Sequence, residues 1–509
     1  VTARPVDPDF LDLPRHALAD AALAAAVSAG ASYADLRIHR ITSEYIQLRD
    51  GELESAVESR EVGLAVRVIV NGTWGFASHA ELTADVAADT ARRAVSVATV
   101  LEPLNAEQVD LAAEPVYADA TWVSDYLIDP FDVPTPDKIT LLGEYAGRLL
   151  AADGVDHVSA GMNAVKEQTF YADTFGSSIT QQRVRVMPML EAVAVDAAAG
   201  SFESMGTLSP PYGRGWEVLA GDDVWNWSRE LAELPGLLAE KVKAPSVVAG
   251  PTDLVIDPSN LWLTIHESIG HATEYDRAIG YEAAYAGTSF ATPDKLGTMR
   301  YGSSVMHVTA DRTVPHGLAS IGYDDEGVQA QSWDLVRDGI FVGYQLDRVF
   351  AQRLGQGQGS PRSNGCSYAD SPHHVPIQRM ANVSLQPAAE DVSTQDLISR
   401  VSDGIYIVGD KSWSIDMQRY NFQFTGQRFY RIRDGRLDGQ LRDVAYQATT
   451  TDFWNSMEAV GGPKTWVLGG AFNCGKAQPG QVAAVSHGCP SALFRGVNVL
   501  NTRIEGAHR

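Results

Sequence analysis

Two histidines five residues apart place the tightest constraint on how this chain folds. They stand in Leu263-Thr264-Ile265-His266-Glu267-Ser268-Ile269-Gly270-His271, with a carboxylate directly after the first. Two imidazoles and an adjacent carboxylate are residue types that bind a zinc ion and hold a general base beside it. In the familiar zinc-protease pattern the histidines are four apart and differ by about 40° around a helix. Five residues on an ideal α-helix separate them by roughly 140°, so the rings would point apart. If both are to reach one ion, the helix must widen into a π-type turn, or end at Gly270 and swing His271 back. Gly270 sits where the distortion is needed, and glycine tolerates it best.

Around this run the chain reads as α+β. Its 509 residues exceed one ordinary core, so two or three domains are expected. Residues 15–30 read as an Ala-rich amphipathic helix. Alternating segments at 33–41, 45–48, 62–70 and 74–77 follow, with turns at Asp50-Gly51 and Asn71-Gly72, which predicts an antiparallel meander. Helical periodicity returns over 82–100. The order then recurs: a helix at 136–152, strands through 157–197 with a turn at 173–176, and a helix at 222–243. We read this as an internal duplication of a helix–hairpins–helix unit, without residue-level identity to accompany it. Lys243-Ala244-Pro245 marks a boundary between an N-terminal domain of helices and meanders (1–244) and a β-rich domain (245–509). In the second domain a strand at 252–256 leads through Pro258 into the metal-binding helix. Hairpin turns fall at Asp338-Gly339 and Asp434-Gly435, and a flexible loop is expected over 355–365.

The net charge of −24 argues against nucleic acid or an anionic membrane as partner. Asp7, Asp9 and Asp12 occupy the place where a secretory segment needs positive charge, and the longest apolar run, 17–30, is too short to span a bilayer. Cys366, Cys474 and Cys489 are too few for a disulfide framework, so a cytoplasmic location is expected.

A catalytic zinc takes three protein ligands and keeps a position open, so a third donor is required. Cys474 lies in Gly469-Gly470-Ala471-Phe472-Asn473-Cys474-Gly475-Lys476, a Gly-rich turn whose backbone can come close to another element, with Lys476 placed to steady a thiolate. A buried, small apolar side chain describes Cys474 equally well. Cys489, in Ser486-His487-Gly488-Cys489-Pro490, is its rival, and would join as a fourth ligand if the metal were structural. His373 and His374 are adjacent, so an extended backbone turns at most one toward a given ion. Asp324-Asp325-Glu326 reads as a solvated turn before Gly327, with a second metal site or a contact to a substrate amine as the alternatives.

Taken in order, the His266–His271 run, Gly287-Thr288-Ser289, Tyr323-Asp324-Asp325-Glu326-Gly327, Val375-Pro376-Ile377-Gln378-Arg379-Met380-Ala381-Asn382, Asp403-Gly404-Ile405-Tyr406 and Asn473-Cys474-Gly475-Lys476 resemble the TldD branch of the TldD/PmbA metalloprotease family. The resemblance implies a peptidase with one Zn2+ per catalytic subunit, ligands His266, His271 and Cys474, and Glu267 as base. It also implies small or unfolded peptides as substrates, bound as an added strand, and a homologous TldE/PmbA-like subunit that lacks the metal ligands. His487-Gly488-Cys489 departs from the family pattern. Gly287, Thr288, Ser289 and Arg379 are candidates for lining the substrate groove. Tyr281, Tyr285, His307 and Arg379 are candidates for stabilising the oxyanion. A zinc amidohydrolase acting on a small-molecule amide, or a non-enzymatic regulatory subunit, are the alternative readings.

Overall fold

The computed structural model describes residues 4–197, 200–355 and 362–503. The N-terminal half is built on one seven-stranded sheet. Its central pair, Tyr33–Arg49 and His157–Asp173, runs antiparallel in unbroken register from Asp35↔Asp173 to Arg49↔Ser159. Glu52–Val70 and Thr73–His79 extend the sheet on one side. Ser178–Asp196 extends it on the other, carrying Ala120–Val123 and Ser201–Gly206 on its far edge. Helices Arg15–Ser28 and Ala84–Leu101 bury Ala-rich faces against one part of this sheet, and Thr135–Leu150 and Trp227–Lys243 against the other. The order helix, three strands, helix thus occurs twice along the chain. Asp50-Gly51 and Asn71-Gly72 both hold positive φ, as a two-residue hairpin turn requires.

Two expected strands, 33–41 and 45–48, are one continuous strand. Its partner begins at Glu52 rather than 62. Residues 52–61 are mostly exposed and carry no apolar alternation, so their pairing follows from the hairpin turn and not from burial.

In the C-terminal half five strands close on themselves. Asp403–Ile415, Gly250–Ile256, Ala492–Asn501, Val444–Thr449 and Asn421–Arg433 each pair with two neighbours, and only the pairing of Asp403–Ile415 with Gly250–Ile256 is parallel. Closure leaves these strands without free edges. Val467–Lys476 and Gln481–Cys489 form a separate antiparallel ribbon. Helix Pro258–Ile265 lies between the ribbon and the closed sheet. The mixture of helices and largely antiparallel sheets is the α+β class expected. Of the expected flexible loop, residues 356–361 lie outside the described residues, while Ser363 and Gly365 are buried.

The Asp324-Asp325-Glu326 cluster corrects an expectation, because it is not a solvated turn. Asp324 accepts the amides of Glu326, Val328 and Ser367, and burial beside Glu326 pushes its carboxyl up to about 7. Asp325 binds Arg37 at 2.6 Å and Glu326 binds Arg67 at 2.9 Å, so the cluster ties the C-terminal half to the N-terminal sheet.

Candidate active site

Helix Pro258–Ile265 starts where Asp257 accepts the Ser259 amide at 3.0 Å, with Pro258 at its first position. It does not continue as an α-helix. His266–Gly270 forms a π turn in which the His271 amide donates to the His266 carbonyl, and His271–Thr273 follows as a 3-10 turn. The extra residue in the turn brings both imidazoles to one side, with ring centroids 4.6 Å apart.

Side chains satisfy the carbonyls that this distortion strands. Ser268 O accepts from Tyr301, Ile269 O from Thr273 Oγ1 at 2.9 Å, and Gly270 O from Gln345 Nε2 at 2.7 Å. Gly270 itself has an ordinary helical φ of −53°. Its missing side chain matters for space, since a Cβ there would stand 2.5 Å from Met380 Sδ. Close packing rather than unusual backbone explains the glycine.

The third group arrives from the ribbon. Cys474 sits in the strand Val467–Lys476, not in a turn, and follows a register shift between Ala471 and Cys474. Close approach is achieved upstream, at Gly469, where a Cβ would be 2.5 Å from Trp262 Cγ; Gly475 has open space around it. One ligand atom each from His266, His271 and Cys474 lies within 4.8 Å of the others, and all three residues are buried.

Hydrogen bonds fix which nitrogens are free. His487 Nδ1 is 2.8 Å from the Val383 carbonyl, which can only accept, so Nδ1 carries the proton and Nε2 offers a lone pair. His266 Nδ1 lies 2.7 Å from that Nε2 and therefore donates to it, leaving its own Nε2 bare. Burial pushes both rings below the ordinary histidine value, His487 furthest, which keeps them neutral. His271 Nδ1 is 2.9 Å from Glu274 Oε2, and its Nε2 faces Cys474 Sγ at 3.6 Å. Burial opposes the charge on Glu274, yet Lys476 and Arg277 hold its carboxyl well below the usual range. Both imidazoles are thus aimed by partners on their far nitrogens.

Burial would push the Cys474 thiol up, but His271 and Arg379 outweigh it and hold it below its ordinary value. Lys476 does not serve the thiol. Its ammonium contacts Glu274 at 3.2 Å and Asp276 and the Gln378 carbonyl at 2.8 Å. Glu267 is buried, and Oε2 accepts from Arg419 Nη1 at 2.7 Å. Burial works against its ionisation, but the surrounding histidines, Arg419 and Arg277 lower it from the ordinary glutamate value. Two imidazoles that can each present Nε2, and a thiol of lowered pKa that can give up its proton, suit zinc by donor type.

The other sequence candidates lie elsewhere. Cys489 Sγ faces the Pro258 carbonyl at 3.6 Å and is not part of the His–His–Cys group; Cys366 is buried, with its thiol pushed up to about 11. His487 lies behind His266, so it is a partner of the ligand candidate. His374 contacts Asp370 at 2.6 Å, and His373 contacts Ser78 at 3.1 Å. His307 pairs with Asp334 at 3.1 Å, and Tyr281 and Tyr285 are exposed.

Neither Ser289 nor Arg379 faces an open groove. Ser289 donates to the Ala272 carbonyl at 2.6 Å. Arg379, almost fully buried, donates to the carbonyls of Cys474 and, at 3.0 Å, Gln481, so it positions the ribbon. Gly287 has φ +90° and packs on the Met417 carbonyl, which accepts the Thr288 amide at 2.7 Å; the Thr288 side chain is half-buried. Sequence reasoning missed Glu274, Arg277 and Arg419. Glu274 carried a signal, since i+3 from His271 is a facing position; Arg419 carried none.

Residues 249–501 match the PmbA/TldA metallopeptidase C-terminal domain, and residues 34–98 match domain 1 of the same family. The chain is similar to a metalloprotease of Methanothermobacter thermautotrophicus, 30% identical over 92% of this chain and 96% of the relative. It is also similar to a zinc metalloprotease TldD homolog of Saccharolobus solfataricus, 23% identical over 92% and 97%. In fold it matches the crystal structure of TldE from Thermococcus kodakarensis, with a TM-score of 0.69, 14% identity and coverage of 95% and 99%. Identity of this extent, over nearly the full length of both chains, places the protein in the TldD/PmbA family of metalloproteases.

Proposed function

We propose that the protein is a zinc-dependent peptidase whose ion is held by His266, His271 and Cys474, with Glu267 as general base. The observation that carries this reading is the convergence of the three ligand atoms to within 4.8 Å, with both Nδ1 positions already committed to other partners. When bound, zinc would lower the pKa of a water molecule and polarise the scissile carbonyl. Glu267 does the proton work. Its Oε2 is held by Arg419, so Oε1 is the oxygen free to take a proton from water and pass it to the leaving amine. Glu274 and His487 accept the Nδ1 protons of His271 and His266, which keeps those protons on the sides facing away from the ligand group.

Among the described residues the ribbon strand Val467–Lys476 pairs on one side only, which supports peptide binding by strand addition next to Cys474. We place the catalytic function in residues 245–509, within a cytoplasmic assembly with a homologous subunit that lacks the ligands. The shared fold with TldE supports that assembly. Among the described residues no helix is long and apolar enough to cross a membrane.

Metal analysis paired with peptide hydrolysis, with and without such a subunit, tests this reading. Wild type should carry one zinc per chain. Glu267→Gln should keep zinc and lose activity by about 100-fold or more, and Cys474→Ala should lose zinc. Stoichiometric zinc in Cys474→Ala, or full activity in Glu267→Gln, would refute it.

A further inference from the structure

A cavity of about 650 Å³ lies between the edge strand Thr73–His79 of the N-terminal sheet and the segments that follow the histidine run. Trp74, Phe76, Phe350 and Ile377 supply apolar wall. Five carboxylates also line it, against a single guanidinium, that of Arg67. Three of the five are already paired: Glu326 with Arg67 at 2.9 Å, Asp276 with Lys476 at 2.8 Å, and Glu107 with Arg353 at 2.8 Å. Arg67 is shared further with Asp35 at 2.8 Å.

Asp347 and Glu282 form no close ion pair among the described residues, although Arg67 lies near the first and Arg277 near the second. Asp347 Oδ1 accepts the Phe350 amide at 2.8 Å, and Glu282 Oε2 accepts the Ala477 amide at 3.2 Å. The second oxygen of each has no hydrogen-bond partner among the described residues, although the two residues are only 6% and 9% exposed. Burial and the nearby Glu326 push the Asp347 carboxyl well above the usual range, so it ionises only when a cation comes beside it to favour the charged form. Buried carboxylates short of a counter-charge, beside aromatic wall, match a cation on an apolar stem. Calcium or magnesium fits poorly, because each takes six or more oxygen ligands.

We propose that this cavity is a subsite for a cationic side chain of the peptide substrate. The ammonium of lysine or the guanidinium of arginine binds Asp347 and Glu282, and the methylene stem lies along Trp74 and Phe350. The proposal rests on the peptidase reading for the word substrate and on the cavity alone for the cation. Its wall is connected to the proposed metal centre by direct contacts, since Asp276 holds Lys476, which contacts Glu274, the partner of His271.

Calorimetric titration of the full chain with Nα-acetyl-lysine methylamide and with its neutral isostere, Nα-acetyl-norleucine methylamide, tests binding. The lysine probe should bind about tenfold tighter or more, the expected worth of a charge-assisted hydrogen bond. Asp347→Asn and Glu282→Gln should each remove most of that preference and leave the norleucine affinity unchanged. Both variants keep the oxygen that accepts a backbone amide, so folding should be retained. Equal affinity for the two probes, or an unchanged preference in both variants, would overturn the subsite. Hydrolysis of matched lysine and norleucine peptides separates the two readings. Cleavage without lysine preference overturns the subsite's role in substrate choice. Discrimination in binding with no cleavage of any peptide overturns the peptidase reading and leaves a cation site.

Discussion

Arg419 reaches Glu267 from a hairpin turn 152 residues further along, where it holds φ +63°. Its other terminal nitrogen donates to the Ala286 carbonyl at 3.0 Å, as Arg277 also does. A carboxylate pinned on one oxygen keeps the other aimed, so Arg419 is a positioning residue for the base. Arg419→Ala should lower kcat by about 10- to 100-fold with KM and zinc content little changed, and Arg419→Lys should restore part of it. The pH profile gives an independent readout. Once the imidazoles are metal-bound and neutral, Arg419 and Arg277 remain, beside the ion itself, as cations that lower the Glu267 pKa. Removing Arg419 therefore raises that pKa, the base takes up its proton at higher pH, and the acid limb of kcat/KM moves to higher pH. An unmoved acid limb would show that Arg419 does not act on Glu267. His487 has a separate effect. His487→Phe removes the acceptor for His266 Nδ1, and chelator competition should find zinc affinity weakened by about 10- to 100-fold.

At the scale of elements, the π turn decides whether the histidine run is a site. The five-residue spacing made a distorted helix legible in advance, because an ideal helix cannot turn both rings one way. Four Asp-Gly or Asn-Gly hairpin turns were legible for an equally local reason, the demand for positive φ. What stayed hidden depends on long-range contact. Tyr301, Gln345 and Trp454 hold Ser268 and Gly270 from 33 to 186 residues away, and no local pattern announces them. Strand pairing over 52–61 was missed because turn geometry, not apolar alternation, sets it. The reason for Gly270 was also out of reach, since Met380 belongs to another segment. Gly270→Ala should cost about 1–3 kcal/mol by overpacking and weaken zinc binding as the turn shifts. If Met380 is the obstacle, combining Gly270→Ala with Met380→Ala should cost less than the sum of the two single changes in a denaturation cycle. Strict additivity would point to backbone conformation instead.

Across the whole molecule, the two halves are joined by charge as well as by apolar contact. Arg67, on a central hairpin of the N-terminal sheet, binds Asp35 within its own sheet and Glu326 in the other half, and its guanidinium lies 4.5 Å from the Trp74 ring centroid. All three ionised groups are nearly fully buried. Such a cluster is weak as a source of net stability but costly to break, because the remaining charges have no water to turn to. Arg67→Met keeps much of the side-chain volume and strands two carboxylates, so urea denaturation should show a loss of about 3–5 kcal/mol. Raising ionic strength should recover little of it, since buried charges are poorly screened. A loss under about 1 kcal/mol, in the range of an exposed pair, would mean that water already reaches the cluster. That result would bear on the cavity too, because Arg67 and Glu326 form part of its wall. Water at Glu326 would stabilise the charge on Asp347 as well, and a cationic side chain would then gain less by entering.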